Sequence, residues 1–249
     1  MRLAIVSDIH GNLPALDAVL ADIARRGADL TVNCGDLLSG PLWPAETADR
    51  LMALGLPTIR GNHERQLLAC AEQPGSPSDQ FAYTRTTQAQ RDWLAALPAA
   101  LEPAPGVLMV HGRPDSDLDY LLETVGPDAG AAGVRAATAG EVAARVSGVG
   151  AELLLCGHSH TPRVMQLPAG PLVVNPGSVG LQSYDDDHVA LHWVRNGSPH
   201  ARYALCERQA AGHWSMAQIA VHYDWVSAAR RAQANGATDW AHWLRSGLA

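Results

Sequence analysis

Five times in this 249-residue sequence a short apolar run ends and side chains of metal-binding type follow at once. Leu3 to Val6 is followed by Ser7-Asp8-Ile9-His10, and Leu30 to Cys34 by Gly35-Asp36. Pro57 to Arg60 leads into Gly61-Asn62-His63-Glu64. Val107 to Val110 leads into His111-Gly112, and Leu153 to Cys156 into Gly157-His158-Ser159-His160. Imidazole nitrogen and carboxylate oxygen together suit Zn, Mn or Fe. Asp8-x-His10 and His158-x-His160 each place two donors on one side of an extended segment, because side chains alternate with period two. The donors are too many for one ion. Two ions about 3.5–4 Å apart, bridged by a carboxylate, would use them all.

The elements that must hold these residues follow from the hydrophobic pattern. Leu3 to Val6, Leu30 to Cys34 and Pro57 to Arg60 read as buried strands. Between them lie two helical segments, one starting after Asn12 with Pro14 in its first turn and ending at Gly27, the other from about Pro44 to Leu54. A β-α-β-α-β opening favours a parallel sheet covered by helices. Ligands of such sheets collect at the carboxyl ends of the strands, so the five motifs are expected on one rim. Glu72 to Asp79 reads as a surface loop, Gln88 to Leu97 and Glu141 to Val149 as helices. Past Val164 the expected strands are Val164 to Leu167, Leu172 to Asn175, Val189 to Val194 and Ala201 to Leu205, with hairpin turns at Ala169-Gly170 and Asn196-Gly197. The end, Trp225 to Ala234 and Asp239 to Leu244, reads as amphipathic helix.

The bulk properties narrow the partners. A net charge of −7 argues against nucleic acid as the partner, since such proteins carry a basic face. No apolar run approaches the roughly 18 residues of a membrane span, and the N-terminal run is too short for a signal-peptide core. A cytoplasmic protein with no membrane partner is the expectation. Cys34, Cys70, Cys156 and Cys206 form no C-x-x-C pair and suggest no disulfide framework.

In order, D-x-H, G-D, G-N-H-E, H-G and G-H-x-H resemble the calcineurin-like metallophosphoesterase family, over Asp8 to His160. SDIHGN at Ser7 to Asn12 and NPGS at Asn175 to Ser178 are similar to its small bacterial and archaeal phosphodiesterase branch. The resemblance implies an α/β fold, a four-layer α-β-β-α sandwich with two mixed sheets. Residues 1–249 would form a single domain, with 164–249 completing it. It implies two divalent or mixed-valence transition-metal ions, Mn, Fe, Zn or Ni. Asp8, His10 and His160 would hold the first; Asn62, His111 and His158 the second; Asp36 would bridge them. His63 would protonate the leaving oxygen, Arg60 would neutralise phosphate oxygens, and a hydroxide held between the ions would attack phosphorus. The substrate would be a small phosphodiester or nucleotide-like phosphate.

One departure stands out. The protein phosphatase branch carries G-D-x-x-D-R-G, whereas this chain has Gly35-Asp36-Leu37-Leu38-Ser39-Gly40-Pro41. The second Asp and the Arg are missing, which leaves the residue that orients His63 unassigned and argues against a phosphoprotein substrate. Other readings stay beside these. Asn12 is expected to cap a helix, and Asn175 to Ser178 to form a tight turn under the site. His188, His192, His200, His213, His222 and His242 read as surface or sheet histidines, and Asp185-Asp186-Asp187 as a solvated turn. The tryptophans at 214, 225, 240 and 243 either pack the C-terminal segment or present an aromatic face. An interaction scaffold of the same fold, or a nuclease, are the rival functions.

Overall fold

The computed structural model describes residues 1–210 and 212–249. The chain opens with β1 (Arg2–Val6), α1 (Leu13–Arg26), β2 (Leu30–Asn33) and α2 (Pro44–Leu54). Three helices follow, α3 (Asn62–Ala69), α4 (Pro77–Arg85) and α5 (Gln88–Ala96), then β3 (Ala100–Ala104) and β4 (Val107–Val110). Next come β5 (Glu123–Val125), a short 3-10 turn, β6 (Val134–Ala136), α6 (Ala139–Arg145) and β7 (Leu153–Leu155). The last third holds β8 (Arg163–Gln166), β9 (Leu172–Asn175), β10 (Ser183–Asp186), β11 (His192–Arg195), β12 (Ala201–Arg208) and β13 (Trp214–Val221). Two helices close it, α7 (Trp225–Ala234) and α8 (Thr238–Ser246).

Two mixed sheets form the centre. One has the order β13-β12-β1-β2, the other β3-β4-β7-β9-β8. β1 runs parallel to β2, and β4, β7 and β9 run parallel to one another. Strand alternation builds the layers. Leu3 and Ile5 of β1 share a core with Leu153 and Leu155 of β7 and Val107 and Met109 of β4, so the two sheets meet face to face. Ala4 and Val6 point the other way, against Leu16 and Val19 of α1, Leu51 of α2 and Ala228 of α7. Leu154 and Val173 face outward under Val142 of α6. The result is the expected α-β-β-α sandwich.

Local chemistry explains the helix starts. The Asn12 side chain accepts from the Ala15 N–H, and Arg25 and Arg26 sit in the last turn of α1, where cations favour the helix dipole. Thr87 with Gln90, and Thr138 with Glu141, form capping boxes at α5 and α6.

Several sequence expectations are corrected. Pro57 to Arg60 is no strand but a single bridge between Asn33 and Thr58, because Pro57 has no N–H to donate and the chain turns into α3 at once. The polar stretch to Asp79 ends in a helix start, with Ser76 as cap and Pro77 in the first turn. Asp185 and Asp186 lie in β10, antiparallel to β11, so the hairpin turn is residues 187–191 and not Asn196-Gly197. Asn196-Gly197 instead carries the chain from β11 to β12, which pair into different sheets. Ala169-Gly170 does turn the hairpin between β8 and β9. No helix among the described residues is long and apolar enough to cross a membrane.

Candidate metal centre

The loops after β1, β2, β4 and β7, with the N-terminus of α3, converge at the carboxyl rim. Their backbone is unusual. Among the described residues six non-glycines have positive φ, and five are Asp8, His10, Asp36, His158 and His160. Asp and His tolerate the left-handed region better than most, yet each such residue costs of order 1–2 kcal/mol. Strain concentrated this way belongs to a site that the surrounding structure enforces. The enforcement is visible as hydrogen bonds from Asp8 N to Gly35 O at 2.9 Å and from His158 N to Asp8 Oδ1 at 3.1 Å.

Two groups of ligand atoms result. Those of Asp8, His10 and His160 lie within 4.8 Å of one another, and so do those of Asp36, His111 and His158. The histidines are oriented from behind. His10 Nδ1 donates to Ser39 O at 2.7 Å, and His160 Nδ1 donates to Leu181 O at 2.7 Å. His111 Nδ1 donates to Cys34 O at 2.7 Å, and His158 Nε2 donates to Leu118 O at 2.9 Å. Partners of this kind set the tautomer of metal-binding imidazoles.

The electrostatics ask for positive charge. Burial lowers His10 to about 4 and pushes His160 well down, so both rings are neutral. With both Nδ1 atoms donating, two Nε2 lone pairs face each other at 3.0 Å. Asp8 Oδ2, wholly buried, has no hydrogen-bond partner. Burial lifts the Asp8 carboxyl to about 7 against the pull of His111. In the second group, Asp36 Oδ2 and Asn62 Oδ1 both stand 3.1 Å from His111 Nε2. Burial works against a charge on His111, but Asp36 and then Asp8 push it up to about 10. Both groups therefore suit a cation, and the donor set of N and O atoms fits transition-metal ions.

His63 stands beside these groups, its ring centroid 5.3 Å from that of His10. Its Nδ1 donates to Asp79 Oδ1 at 2.8 Å, and that side chain is 2% exposed. Burial pulls His63 down, the Asp36 charge and the Asp79 hydrogen bond push it up, and the outcome is about 9. Asp79 is thus the residue that orients His63. Its signal in the sequence was only the Ser76-Pro77 helix start, which puts it in the first turn of α4.

Sequence reasoning also passed over Glu64. Its buried carboxylate accepts from the N–H groups of Asp36, Leu37 and Gly61 at 2.7–2.9 Å, tying the Gly35 loop to the start of α3. Gly61 permits this approach, since a Cβ there would overlap Asp36 Oδ1 and come within 2.7 Å of the His111 ring. Asn175 to Ser178 forms the expected floor. Ser178 Oγ donates to Asp8 O at 2.7 Å, and Asn175 Nδ2 donates to Gly157 O at 2.7 Å.

The structure brings Asp8, His10, Asp36, Asn62, His63, His111, His158 and His160 together. It does not bring Arg60. That residue is exposed, lies outside the cavity lining, and its backbone N–H is held by Pro98 O. The chain turns between Arg60 and Asn62, so the neighbours in sequence separate in space. Arg65, one turn into α3, lines the cavity instead, its Nε and Nη2 donating to the Asp117 carboxylate. Of the other histidines, His188 also lines this cavity of about 680 Å³, and His192 is buried against Tyr120.

Paired His and carboxylate groups on the rim of two facing mixed sheets define the class of protein. Residues 1–197 match the calcineurin-like phosphoesterase superfamily domain, and the chain belongs to that superfamily. Phosphodiesterase YfcE of Escherichia coli K12 is 39% identical over 77 residues, 27% of this chain and 42% of YfcE. An uncharacterized protein of Methanocaldococcus jannaschii is 38% identical over 66 residues, 26% of this chain and 27% of that protein. The chain thus spans less than half the length of these curated relatives. A crystal structure of a metallophosphoesterase from Sphaerobacter thermophilus covers 100% of both chains with a TM-score of 0.76 at 21% identity, a likeness of fold.

Proposed function

We propose that the chain is a dimetal-dependent phosphoesterase acting on a phosphodiester or nucleotide-like phosphate. The observation that carries this reading is the opening of both ligand groups onto the cavity that holds His63, with Asp79 behind it. Asp8, His10 and His160 would hold one ion, Asn62, His111 and His158 the other, and Asp36 would be shared. Bound Mn, Fe, Zn or Ni would supply Lewis-acid charge at the phosphoryl oxygens and lower the pKa of water.

The chain's own residues do the rest. His63, kept as an imidazolium near neutral pH, donates its Nε2 proton to the leaving oxygen. Asp79 holds the Nδ1 proton and so aims Nε2 at the cavity. The rim favours a substrate of low charge. Its one arginine among the described lining residues is already paired with Asp117, and Asp185, Asp186 and Asp187 line the cavity too. A diester carries one negative charge and a monoester nearly two, so this field favours the diester. The single-domain reading of 1–249 is supported by α7 and α8, whose Ala228, Ala232 and Leu244 join the core under α1. A cytoplasmic setting and a small-molecule partner, without nucleic acid, complete the reading.

Hydrolysis of bis-p-nitrophenyl phosphate beside p-nitrophenyl phosphate, in manganese buffer, tests it. Turnover that favours the diester and vanishes in Asp36→Asn is expected. Equal turnover by the variant would sink the mechanism. No turnover with any of these metals would leave the interaction-scaffold reading in its place.

A further inference from the structure

Two indoles from the far end of the chain stand in the wall of this cavity. Trp240 and Trp243 lie three residues apart on α8 and face one side of it. Trp240 meets the His10 ring edge-on, with centroids 5.9 Å apart and planes at 73°. Trp243 lies 6.4 Å further along, tilted by 45°. Both remain half-buried, while Ala241 and Leu244 are 2% and 1% exposed and anchor the helix.

We propose that Trp240 and Trp243 form a stacking platform for a planar ring of the substrate, a nucleobase or an aryl group attached through phosphorus. The proposal rests on the phosphoesterase reading above and names its substrate class.

The seat of Trp240 is built for it. A Cβ on Gly40 would fall 2.9 Å and 3.1 Å from two carbons of the Trp240 ring and 2.5 Å from His10 O. Only glycine leaves that room. Gly40 is also the position at which G-D-x-x-D-R-G would place its arginine. Where the phosphatase pattern has a cation, this chain has an indole edge, so a charged contact gives way to a flat apolar one. The tryptophans lie beyond residues 1–197, the part that matches the family.

Position and room agree. The His10 ring neighbours both Trp240 and His63, with centroids 5.9 Å and 5.3 Å away. Trp240 and the proton donor thus share one imidazole neighbour, and both line the same cavity. About 680 Å³ is far more than one phosphate group fills and falls in the range of drug-sized ligand sites. Gln66, Gln73, Ser76 and Ser78 also line it and offer hydrogen bonds to a ring edge.

The test is equilibrium binding by titration calorimetry to manganese-loaded protein, with AMP and ribose 5-phosphate as probes. They share the phosphate and sugar and differ in the base. Wild type is expected to bind AMP more tightly by about fivefold to a hundredfold, the range of one base stacked on an aromatic side chain. Trp240→Ala and Trp243→Ala should erase that advantage while ribose 5-phosphate binding stays the same, and Trp240→Phe should keep most of it. Trp243→Ala decides the matter should loss of Trp240 unfold α8. Equal affinity for the two probes, or an AMP preference that survives both alanine variants, overturns the platform. Turnover of bis-p-nitrophenyl phosphate with equal probe affinity would overturn the platform alone. Absence of turnover and of binding would remove the phosphoesterase reading and this proposal together.

Discussion

Asparagine in place of Asp79 removes one charge and keeps the shape of the side chain. The Asp79 carboxylate is almost fully buried and accepts the His63 Nδ1 proton at 2.8 Å. A hydrogen bond to a buried charged group is worth about 1.5–3 kcal/mol, whereas a neutral amide oxygen returns about 1 kcal/mol. The difference, at 1.36 kcal/mol per pKa unit, lowers His63 by roughly one unit or slightly more. A cation held by Asp36 would cancel much of that residue's own pull on His63, which leaves Asp79 the larger share. The sign is fixed by the role. A proton donor works below its pKa, so the rate stays level and then falls as pH rises through the value for His63, about 9 without bound metal and lower once a cation offsets Asp36. In Asp79→Asn the basic limb of the pH–rate profile should move down by roughly one unit from its wild-type position, with a larger loss on the basic side than on the plateau. Stopped-flow or plate assays with bis-p-nitrophenyl phosphate across this range would read it. A basic limb that does not move, with an unchanged plateau, would refute the assignment of both residues.

Three further outcomes are expected. Glu64→Ala strands three backbone N–H groups and should cost about 3 kcal/mol or more in urea unfolding, with loss of bound metal; an unchanged midpoint would deny Glu64 its bracing role. Metal uptake should release about two protons per chain at pH 6, from Asp8 and His111, and about one at pH 8, where Asp8 is already ionised. Calorimetry in buffers of different ionisation enthalpy would count them, and a release independent of pH would contradict the strained ionisation of Asp8. Arg60→Ala should leave kcat/KM within about twofold, as for exposed residues outside special contacts, and a tenfold loss would return Arg60 to the site.

How much of this was legible in the sequence depended on distance. β1, β4 and β7 announced themselves as apolar runs because they are largely buried on both faces, β2 showed through its buried end at Val32, and each ran directly into its ligands. The His and Asp types then spoke for the chemistry. Partners supplied from elsewhere left no such mark. Asp79 reaches His63 from a polar stretch 16 residues on, and its Ser-Pro helix start was outweighed by the surrounding glycine and proline. Trp240 meets His10 across the fold, from a helix whose own pattern reads only as amphipathic. β13 was hidden because it is an edge strand with no buried run, its residues alternating between half-buried and exposed. Arg60 misled for the opposite reason: adjacency to Asn62 means little where the backbone turns at Gly61.

The left-handed residues in the ligand loops also govern when the site can exist during folding. Five of them together cost roughly 5–10 kcal/mol, about the whole stability of an ordinary domain, so no nascent segment holds that shape by itself. The contacts that impose it are remote. Asp8 Oδ1 meets His158 N across 150 residues, and His160 depends on Leu181 O, on the far side of β9. Both sheets must dock before either loop settles. Contacts of the fold thus hold these loops in shape, unlike small zinc modules, in which the metal directs the folding. Metal uptake would then complete a site that the docked sheets have already shaped.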